Sequence, residues 1–263
     1  IDIPEFTAYD GETMDRVSQV VSEILGRMIN IDVEKTALVV GLGNWKVTPD
    51  ALGPKVTEGI MVTRHLKTVM PEIMDDSVRP VCSIAPGVLG ITGVETVEII
   101  KGTVERVKPD VVICIDALAA RRVERVNTTI QIGDTGISPG AGVGNNRKQI
   151  NEDNLGVKVI AIGVPTVVDA VTIANDTIDM VVDSLMNNAS SGNDFYKMLG
   201  SLDKNEKSSL IREVLSSKSL GEMIVTPKDI DLIINSLAKI ISNGINMAVQ
   251  PNMDMEDINK FMS

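Results

Sequence analysis

Short runs of aliphatic residues recur along this chain, and helical patterns separate them. Such runs are typical of strands that are buried on both faces of a sheet. The runs lie at 37–41, 81–85, 111–115, 129–132 and 157–162. Helical patterns lie at 12–28, 96–107 and 169–186, and another follows Asp50 up to about Met70. This alternation predicts an α/β fold with a mostly parallel sheet and helices on both of its faces.

The composition narrows the possible functions. Hydrophobic residues make up 43% of the 263 residues and aromatic residues only 2%, so the core must be aliphatic. The formal net charge of −11 argues against direct nucleic-acid binding, which needs a basic surface. Cys82 and Cys114 lie inside apolar runs, which favours buried thiols and a reducing compartment. No unbroken apolar run predicts a membrane span.

A polar stretch at 187–193 divides the chain by composition. It predicts an α/β core at 1–186, a linker or mobile loop at 187–204, and a C-terminal helical segment at 205–263 that packs on the core. Helices are expected at 205–216 and 228–247. Thr226 is the predicted N-cap of the second, with Pro227 at its first position. The chain begins at Ile1 rather than methionine, so we expect that an upstream segment has been removed.

Two aspartates follow predicted strands and are the main catalytic candidates. Ligands of parallel α/β sheets bind beyond the carboxyl ends of the strands. Asp116 follows the run 111–115, and Asp50 lies in the loop that leaves the first strand, whereas Asp110 precedes its strand and lies at the wrong end. If the two strands are neighbours, the carboxyl groups of Asp50 and Asp116 meet at one edge of the sheet.

A pair of neighbouring carboxyl groups shares one proton, because both cannot easily ionise together. One member can then deprotonate a water molecule while the other protonates the carbonyl oxygen under attack. The alternative is that Asp50 caps the following helix and that Asp116 merely ends a strand. Asp134 and Asp169 are further acidic candidates at strand ends.

Other chemistries have weaker support. The Gly41-Leu-Gly43 loop lacks the third glycine of a dinucleotide site, and the glycine cluster at 139–144 lacks the lysine of a phosphate-binding P-loop, so no cofactor is expected. His65 is the only histidine, which leaves no histidine and cysteine cluster for zinc. It lies in a helical pattern without a nucleophile motif, and a surface position is expected.

Four long motifs follow one another in the sequence. They are Gly41-Leu-Gly-Asn44 with Thr48-Pro-Asp-Ala-Leu-Gly-Pro54, Cys114-Ile-Asp-Ala-Leu-Ala-Ala-Arg121, Glu124-Arg-Val-Asn-Thr128 and Gly163-Val-Pro-Thr-Val-Val-Asp-Ala170. Together they resemble the germination protease family of spore-forming bacteria. The similarity runs from about residue 35 to residue 186, and the segment 225–244 also fits.

The resemblance implies an atypical aspartic endopeptidase, similar in fold to the hydrogenase-maturation peptidases. Its implied substrates are small acid-soluble spore proteins, which are degraded in the spore core during germination. It also implies a cytoplasmic homotetramer, without nucleic-acid or membrane partners, that is made as a zymogen and loses an N-terminal propeptide. The two essential aspartates of the family match Asp50 and Asp116. Cleavage in the family favours a glutamate before the scissile bond and a hydrophobic residue after it.

A glutamate in the substrate requires a cationic contact in the site. The candidates are Arg121, Arg122, Arg125 and Arg147, for which ordinary surface charge is the alternative. Gly43 and Asn44 are further candidate substrate-binding residues. The chain departs from the family by starting inside the expected sequence, by a short segment at 187–203, and by lacking the histidine that ligates nickel in the maturation peptidases. A metal-dependent peptidase and a non-enzymatic phosphate-binding module stay open as alternatives.

Overall fold

A computed structural model of the chain describes most of its residues. The described residues are 1–3, 11–72, 74–140, 148–188, 209, 211, 213 and 223–262. They belong to two compact units. The first comprises Ile1–Leu118, Asn127–Thr166 and Lys228–Ser263, and the second comprises Ala119–Val126 and Val167–Pro227.

Helices and strands alternate along the chain. The helices are α1 (Gly11–Ile29), α2 (Leu52–Glu58), α3 (Arg64–Val69), α4 (Leu89–Thr92), α5 (Thr96–Val107), α6 (Glu152–Leu155), α7 (Ala170–Asn188), α8 (Ile230–Val249) and α9 (Met255–Met262). The strands are β1 (Ala37–Gly41), β2 (Val81–Ile84), β3 (Val111–Ala120), β4 (Gln131–Gly133), β5 (Lys158–Asp169) and β6 (Ile224–Val225). Short 3₁₀ helices span Thr48–Asp50 and Val123–Arg125.

The first unit contains a sheet with the strand order β2-β1-β3-β5-β4. Strand β1 pairs in parallel with both β2 and β3, and Ala37 is level with Val81 on one side and Val111 on the other. Strand β4 runs antiparallel to β5, with Gln131 opposite Gly163. Because β1 and β3 are parallel neighbours, their carboxyl ends open at the same edge of the sheet.

Helices cover both faces of this sheet. On one face, Val39 and Ile113 pack in a core with residues of α1, α2 and α8. On the other face, Val40 and Val112 pack in a second core with residues of α5. The two cores take alternate residues of each strand, because successive side chains of a strand point to opposite faces. The predicted α/β class, with a mostly parallel sheet and helices on both faces, is confirmed.

Helix α8 is a core helix of the first unit. Its Ile234, Leu237 and Ile241 are fully buried, and the helix packs against α1. Gly244 permits this close approach, because a Cβ at that position would lie 2.5 Å from Cγ1 of Val21. By length and composition, α8 is the one helix among the described residues that could cross a membrane. However, 67% of its most apolar window is buried inside the protein.

In the second unit, helix α7 follows directly after strand β5. Strand β6 pairs antiparallel with the end of β5, so that Val168 lies opposite Val225. The Oδ1 atom of Asp169 accepts a hydrogen bond from the Thr172 amide at 2.6 Å and so satisfies a free N–H of the first turn of α7.

Several predicted boundaries are wrong. Strand β5 continues to Asp169 rather than ending at Ile162. Strand β3 continues to Ala120, so Asp116 lies within the strand rather than after it. The helical pattern after Asp50 is divided into α2 and α3, because the hydroxyl of Thr63 between them accepts a hydrogen bond from the Val81 amide. Helix α8 begins at Ile230 rather than after Thr226, because the residues just before Thr226 form strand β6.

Part of the predicted C-terminal organisation lies outside the described residues. This applies to most of the predicted linker at 187–204 and of the predicted helix at 205–216. Helix α8 belongs to the same compact unit as the sheet. The division into segments 1–186, 187–204 and 205–263 stays a prediction.

Candidate active site

Asp50 is held by the loop that follows strand β1. The backbone amide of Asn44 donates to the Oδ2 atom of Asp50 at 2.8 Å and to its carbonyl oxygen at 3.2 Å. These two contacts fold the loop back on itself. Helix α2 begins only after Ala51 and receives no side-chain cap, so Asp50 does not act as its N-cap.

Two glycines allow this loop to lie close to the sheet. Gly43 has a φ of +117°, and a Cβ there would clash with the carbonyl oxygen of Asp50. A Cβ on Gly53 would lie 2.6 Å from the carbonyl oxygen of Ile115, the residue before Asp116. The amide of Leu42 donates to that same Ile115 oxygen at 2.7 Å. The first turn of α2 therefore presses against the strand positions next to Asp116.

Asp116 lies on the neighbouring strand β3 and is almost fully buried, with 4% of its surface exposed. Its Oδ2 atom has no hydrogen-bond partner among the described residues. Burial, and to a smaller extent the negative charge of Asp50, raise the pKa of Asp116 to about 8, although the hydrogen bond from the Ala117 amide opposes the shift. Asp116 therefore keeps its proton at neutral pH.

Asp50 responds in the same direction but less strongly. Burial raises the pKa of Asp50, and the hydrogen bond from the Asn44 amide lowers it, because that bond favours the ionised carboxylate. The two carboxyl groups titrate as a coupled pair. Because the pKa of Asp116 is raised more strongly than that of Asp50, Asp116 is the member of the pair that holds the shared proton.

A third strand also fixes the loop of Asp50. Thr166 on β5 is 1% exposed, and its hydroxyl donates to the carbonyl oxygen of Pro49 at 2.8 Å. Residues from β1, β3 and β5 thus converge on the same loop. No role for Thr166 is predicted from the sequence, although it lies in the motif Gly163-Val-Pro-Thr166 as a polar residue within an apolar stretch.

The loop residues Gly43 and Asn44 hold Asp50 in place. The Asn44 amide is already engaged by Asp50, and the Asn44 side chain accepts a hydrogen bond from the Lys46 amide at 3.0 Å. An anion at this loop would have to displace Asp50. The predicted role of Gly43 and Asn44 in substrate binding stays a prediction.

Three of the four candidate arginines belong to the second unit. Arg121, Arg122 and Arg125 are exposed residues of the second unit, and Arg122 forms an ion pair with Glu124 at 3.2 Å. Arg147 and the glycine cluster at 141–144 lie outside the described residues. A role for these four arginines in binding a substrate glutamate stays a prediction.

The remaining candidate residues either stabilise the fold through hydrogen bonds or are exposed. Asp110 accepts from the Thr36 amide at 2.9 Å and lies at the amino end of β3, as predicted. Asp134 is exposed, and Asp169 caps α7. His65 is exposed on α3. No group of three or more histidine, cysteine, aspartate or glutamate residues that could hold a metal ion occurs in the described part of the chain.

Comparison with known proteins gives a consistent result. The family model described as germination protease matches residues 2–197 and 182–262. The chain is 65% identical to a germination protease of Clostridium perfringens, over 100% of this chain and 81% of that protein. It is 47% identical to the germination protease of Bacillus subtilis, over 94% of this chain and 76% of that protein.

Among solved structures, a NiFe hydrogenase maturation protease from Thermococcus kodakarensis is similar over 54% of this chain and 80% of that one. The identity is 19% and the TM-score is 0.34, too low to support an argument about function.

The family match and these relatives define a peptidase. The chain belongs to the germination protease family, which confirms the resemblance seen in its motifs.

Proposed function

We propose that this protein is an aspartic-type endopeptidase that begins the breakdown of small acid-soluble spore proteins during germination. Membership of the germination protease family supports a peptidase of spore germination. The aspartic chemistry is our inference from the pair formed by Asp50 and Asp116. The observation that carries it is the buried, unpaired Oδ2 atom of Asp116 beside a second carboxyl group.

The proposed reaction uses the two carboxyl groups in opposite roles. The ionised Asp50 removes a proton from a water molecule, and the water oxygen forms a bond to the carbonyl carbon of the scissile peptide. Asp116 gives its proton to the carbonyl oxygen as the carbon becomes tetrahedral. When the carbon–nitrogen bond breaks, the proton now held by Asp50 passes to the departing nitrogen. The hydroxyl proton returns to Asp116 as the new carboxyl group forms.

Burial gives this pair its reactivity. A carboxyl group in water would be ionised at neutral pH and could not donate a proton. Asp116 is 4% exposed, and its raised pKa keeps it in the acid form. The hydrogen bond from the Asn44 amide favours the ionised form of Asp50 and opposes the effect of burial on its pKa. The same pair therefore supplies an acid and a base at one pH.

The family also suggests how the enzyme is assembled and where it works. We propose a homotetramer in the cytoplasm of the spore core, made as a zymogen that loses an N-terminal propeptide. The net charge of −11 agrees with a protein that does not itself bind nucleic acid. A substrate glutamate before the scissile bond would be bound by arginines from the set Arg121, Arg122, Arg125 and Arg147.

The proposal is tested by replacing each aspartate with asparagine, which has nearly the same shape. Asp50→Asn and Asp116→Asn should each lower kcat for a small acid-soluble spore protein by about 10²–10⁴-fold, the usual contribution of a positioned acid or base. Asp134→Asn, on an exposed aspartate of the same unit, is the matched control and should leave kcat unchanged. Wild-type turnover in either pair variant would refute the aspartate mechanism.

A further inference from the structure

Buried polar atoms without a partner are concentrated in two residues. Among the described residues, the unpaired buried side-chain atoms are Oδ2 of Asp116 and both Oδ1 and Nδ2 of Asn127. Folded proteins pair nearly all such atoms, so each exception needs an explanation. Catalysis explains Asp116. Nothing among the described residues explains Asn127, which is 5% exposed and whose side-chain donor and acceptor are both unpaired there.

The backbone holds Asn127 in an uncommon conformation. Its φ is +61°, in the left-handed region that most side chains avoid and that asparagine tolerates. The backbone N–H of Asn127 donates to the carbonyl oxygen of Pro165 on β5 at 2.7 Å. Pro165 precedes Thr166, whose hydroxyl binds the loop of Asp50. Asn127 is therefore fixed at the stretch of β5 that also supports the catalytic loop.

The sheet places Asn127 within reach of a substrate bound at Asp116. Strand β5 lies between β3 and β4, and Asn127 is in the segment that enters β4. Leu118, two residues after Asp116, packs against Gly163, two residues before Pro165. Two strand spacings, about 10 Å, separate Asn127 from β3 across the sheet, and four residues, about 13 Å, separate the level of Asp116 from that of Pro165 along the strands. The two offsets combine to about 16 Å, and an extended peptide advances about 3.3 Å per residue, so roughly five residues cover this distance.

We propose that Asn127 binds the main chain of the substrate about five residues from the scissile bond. The side-chain amide offers one acceptor, Oδ1, and one donor group, Nδ2, which match the N–H and C=O of a peptide unit. Recognition of the main chain rather than a side chain suits an enzyme that holds an extended segment. This inference rests on the proposed endopeptidase function and adds a binding subsite to it.

The burial of Asn127 is consistent with this role. Asp116 is 4% exposed and Asn127 is 5% exposed, so a substrate must open the structure to reach either residue. Binding then supplies the partners that the three buried atoms lack.

The test removes the amide and keeps the backbone conformation. Glycine adopts a φ near +60° readily, so Asn127→Gly deletes the side chain without backbone strain. Asn30→Gly is the matched control, because Asn30 is also left-handed, with a φ of +38°, and is exposed at the end of α1. With a small acid-soluble spore protein as substrate, Asn127→Gly should raise KM about tenfold, the size expected for two lost hydrogen bonds. Its kcat should stay within about threefold of the wild type.

Binding can be measured separately from turnover. Trp45 is the only tryptophan, is 43% exposed and follows Asn44 in the loop of Asp50. Its fluorescence, titrated with a tryptophan-free peptide of the substrate, should give a dissociation constant about tenfold weaker for Asn127→Gly than for Asn30→Gly. An aspartate side chain keeps the shape of the amide but lacks its donor, so Asn127→Asp is the second variant if the glycine variant does not fold; weaker binding is again expected.

The outcomes separate this inference from the proposed function. Wild-type KM and peptide affinity in a folded Asn127→Gly or Asn127→Asp variant would overturn the subsite. Loss of affinity equal to that of Asn30→Gly would do the same, because it would indicate a general effect of the substitution. Failure of the aspartate mechanism would appear as unchanged kcat in Asp50→Asn and Asp116→Asn, and does not depend on the affinity of the Asn127 variants.

Discussion

Two buried residues of the first unit, Arg79 and Asp116, differ in how their polar atoms are paired. Arg79 is 2% exposed, and its guanidinium donates to the carbonyl oxygens of Val249 at 2.7 Å, Asp32 at 2.7 Å and Ile31 at 3.1 Å. Asp116 is 4% exposed and has an oxygen with no partner among the described residues. The guanidinium of Arg79 is therefore hydrogen-bonded to several carbonyl oxygens, whereas one carboxyl oxygen of Asp116 has no partner among the described residues.

Arg79 and Asp116 lie at opposite edges of the parallel strands, and this explains why their polar atoms are paired differently. Arg79 stands just before β2, at the amino edge of the parallel strands, where it joins the end of α8 to the connection between α1 and β1. Asp116 faces the carboxyl edge, where α/β proteins bind their ligands. A buried charge with its hydrogen bonds made holds elements together, whereas a buried acid with an unpaired oxygen keeps its reactivity at the expense of stability.

The largest expected effect is the loss of stability when Arg79 is replaced. Arg79→Met keeps an apolar stem but leaves several buried carbonyl oxygens without donors, so the free energy of unfolding should fall by about 3–5 kcal/mol. Urea denaturation measures it. Arg106→Met, on an exposed arginine of α5, should change it by less than about 0.5 kcal/mol. Equal losses in the two variants would remove the contrast between Arg79 and Asp116.

The opposite sign is expected at Asp116. Its pKa is about 8 in the folded protein and near 3.8 when unfolded, so the unfolded chain releases its proton first as pH rises. The contribution of Asp116 to stability is therefore full below pH 3.8 and is lost as the pH rises toward 8. Asn cannot ionise, so Asp116→Asn should gain stability relative to the wild type between these pH values, on the order of 2–4 kcal/mol at pH 7.

Urea denaturation at a series of pH values measures this gain. Asp134→Asn serves as control, because its aspartate is exposed. A stability difference between the wild type and Asp116→Asn that stays constant from pH 4 to pH 8 would contradict the raised pKa.

A smaller effect is expected from the loop that presents Asp50. Gly43→Ala places a Cβ against the carbonyl oxygen of Asp50 at a backbone φ of +117°. The displaced loop should lower kcat about 10–100-fold, and the strain should lower stability by about 1–3 kcal/mol. Gly102→Ala is the matched control: it has open space around it in α5 and should gain about 0.5–1 kcal/mol. Normal turnover by Gly43→Ala would show that the loop adapts.

The smallest expected effect concerns the hydrogen bond from β5. Thr166→Val removes the hydroxyl that binds the Pro49 carbonyl oxygen and keeps the shape, so stability should fall by about 1 kcal/mol. A few-fold loss of kcat should accompany it, because the loop of Asp50 loses one support. Thr166→Ser retains the hydroxyl and should recover most of the activity. If serine and valine behave alike, the hydrogen bond has no part in positioning Asp50.

The sequence was sufficient to predict most of the fold of the first unit. The apolar runs predicted strands β1 and β2 almost to the residue, and α5 ends at Val107 as predicted. Lys108 there adopts a left-handed φ of +53° before Pro109, which cannot continue a helix. Local sequence patterns, together with residues such as proline that end a helix, are enough to predict the end of an element when its own sequence determines that end.

Features that depend on distant partners were beyond local patterns. The division of the helical pattern after Asp50 depends on Thr63 bonding to Val81, and the extension of β3 to Ala120 depends on pairing in the sheet. Arg79 reads as an ordinary surface arginine in the sequence, because its carbonyl partners come from segments more than 40 residues away.

The candidate site divides in the same way. The rule about strand ends placed Asp50 and Asp116 at one edge and Asp110 at the other, and the strand pairing and the hydrogen bond of Asp110 agree with it. The unpaired side-chain amide of Asn127 could not be predicted from the sequence, because the hydrogen-bond partners of a side chain depend on its three-dimensional surroundings.

The central claim is that Asp116 holds a proton at neutral pH because it is buried beside Asp50. Carboxyl carbon NMR of protein labelled with ¹³C at its aspartates, assigned with Asp116→Asn, follows this proton directly. We expect Asp116 to titrate near pH 8 in the wild type and at a lower pH in Asp50→Asn, which lacks the neighbouring charge. Titration of Asp116 near its ordinary value of 3.8 would contradict the account.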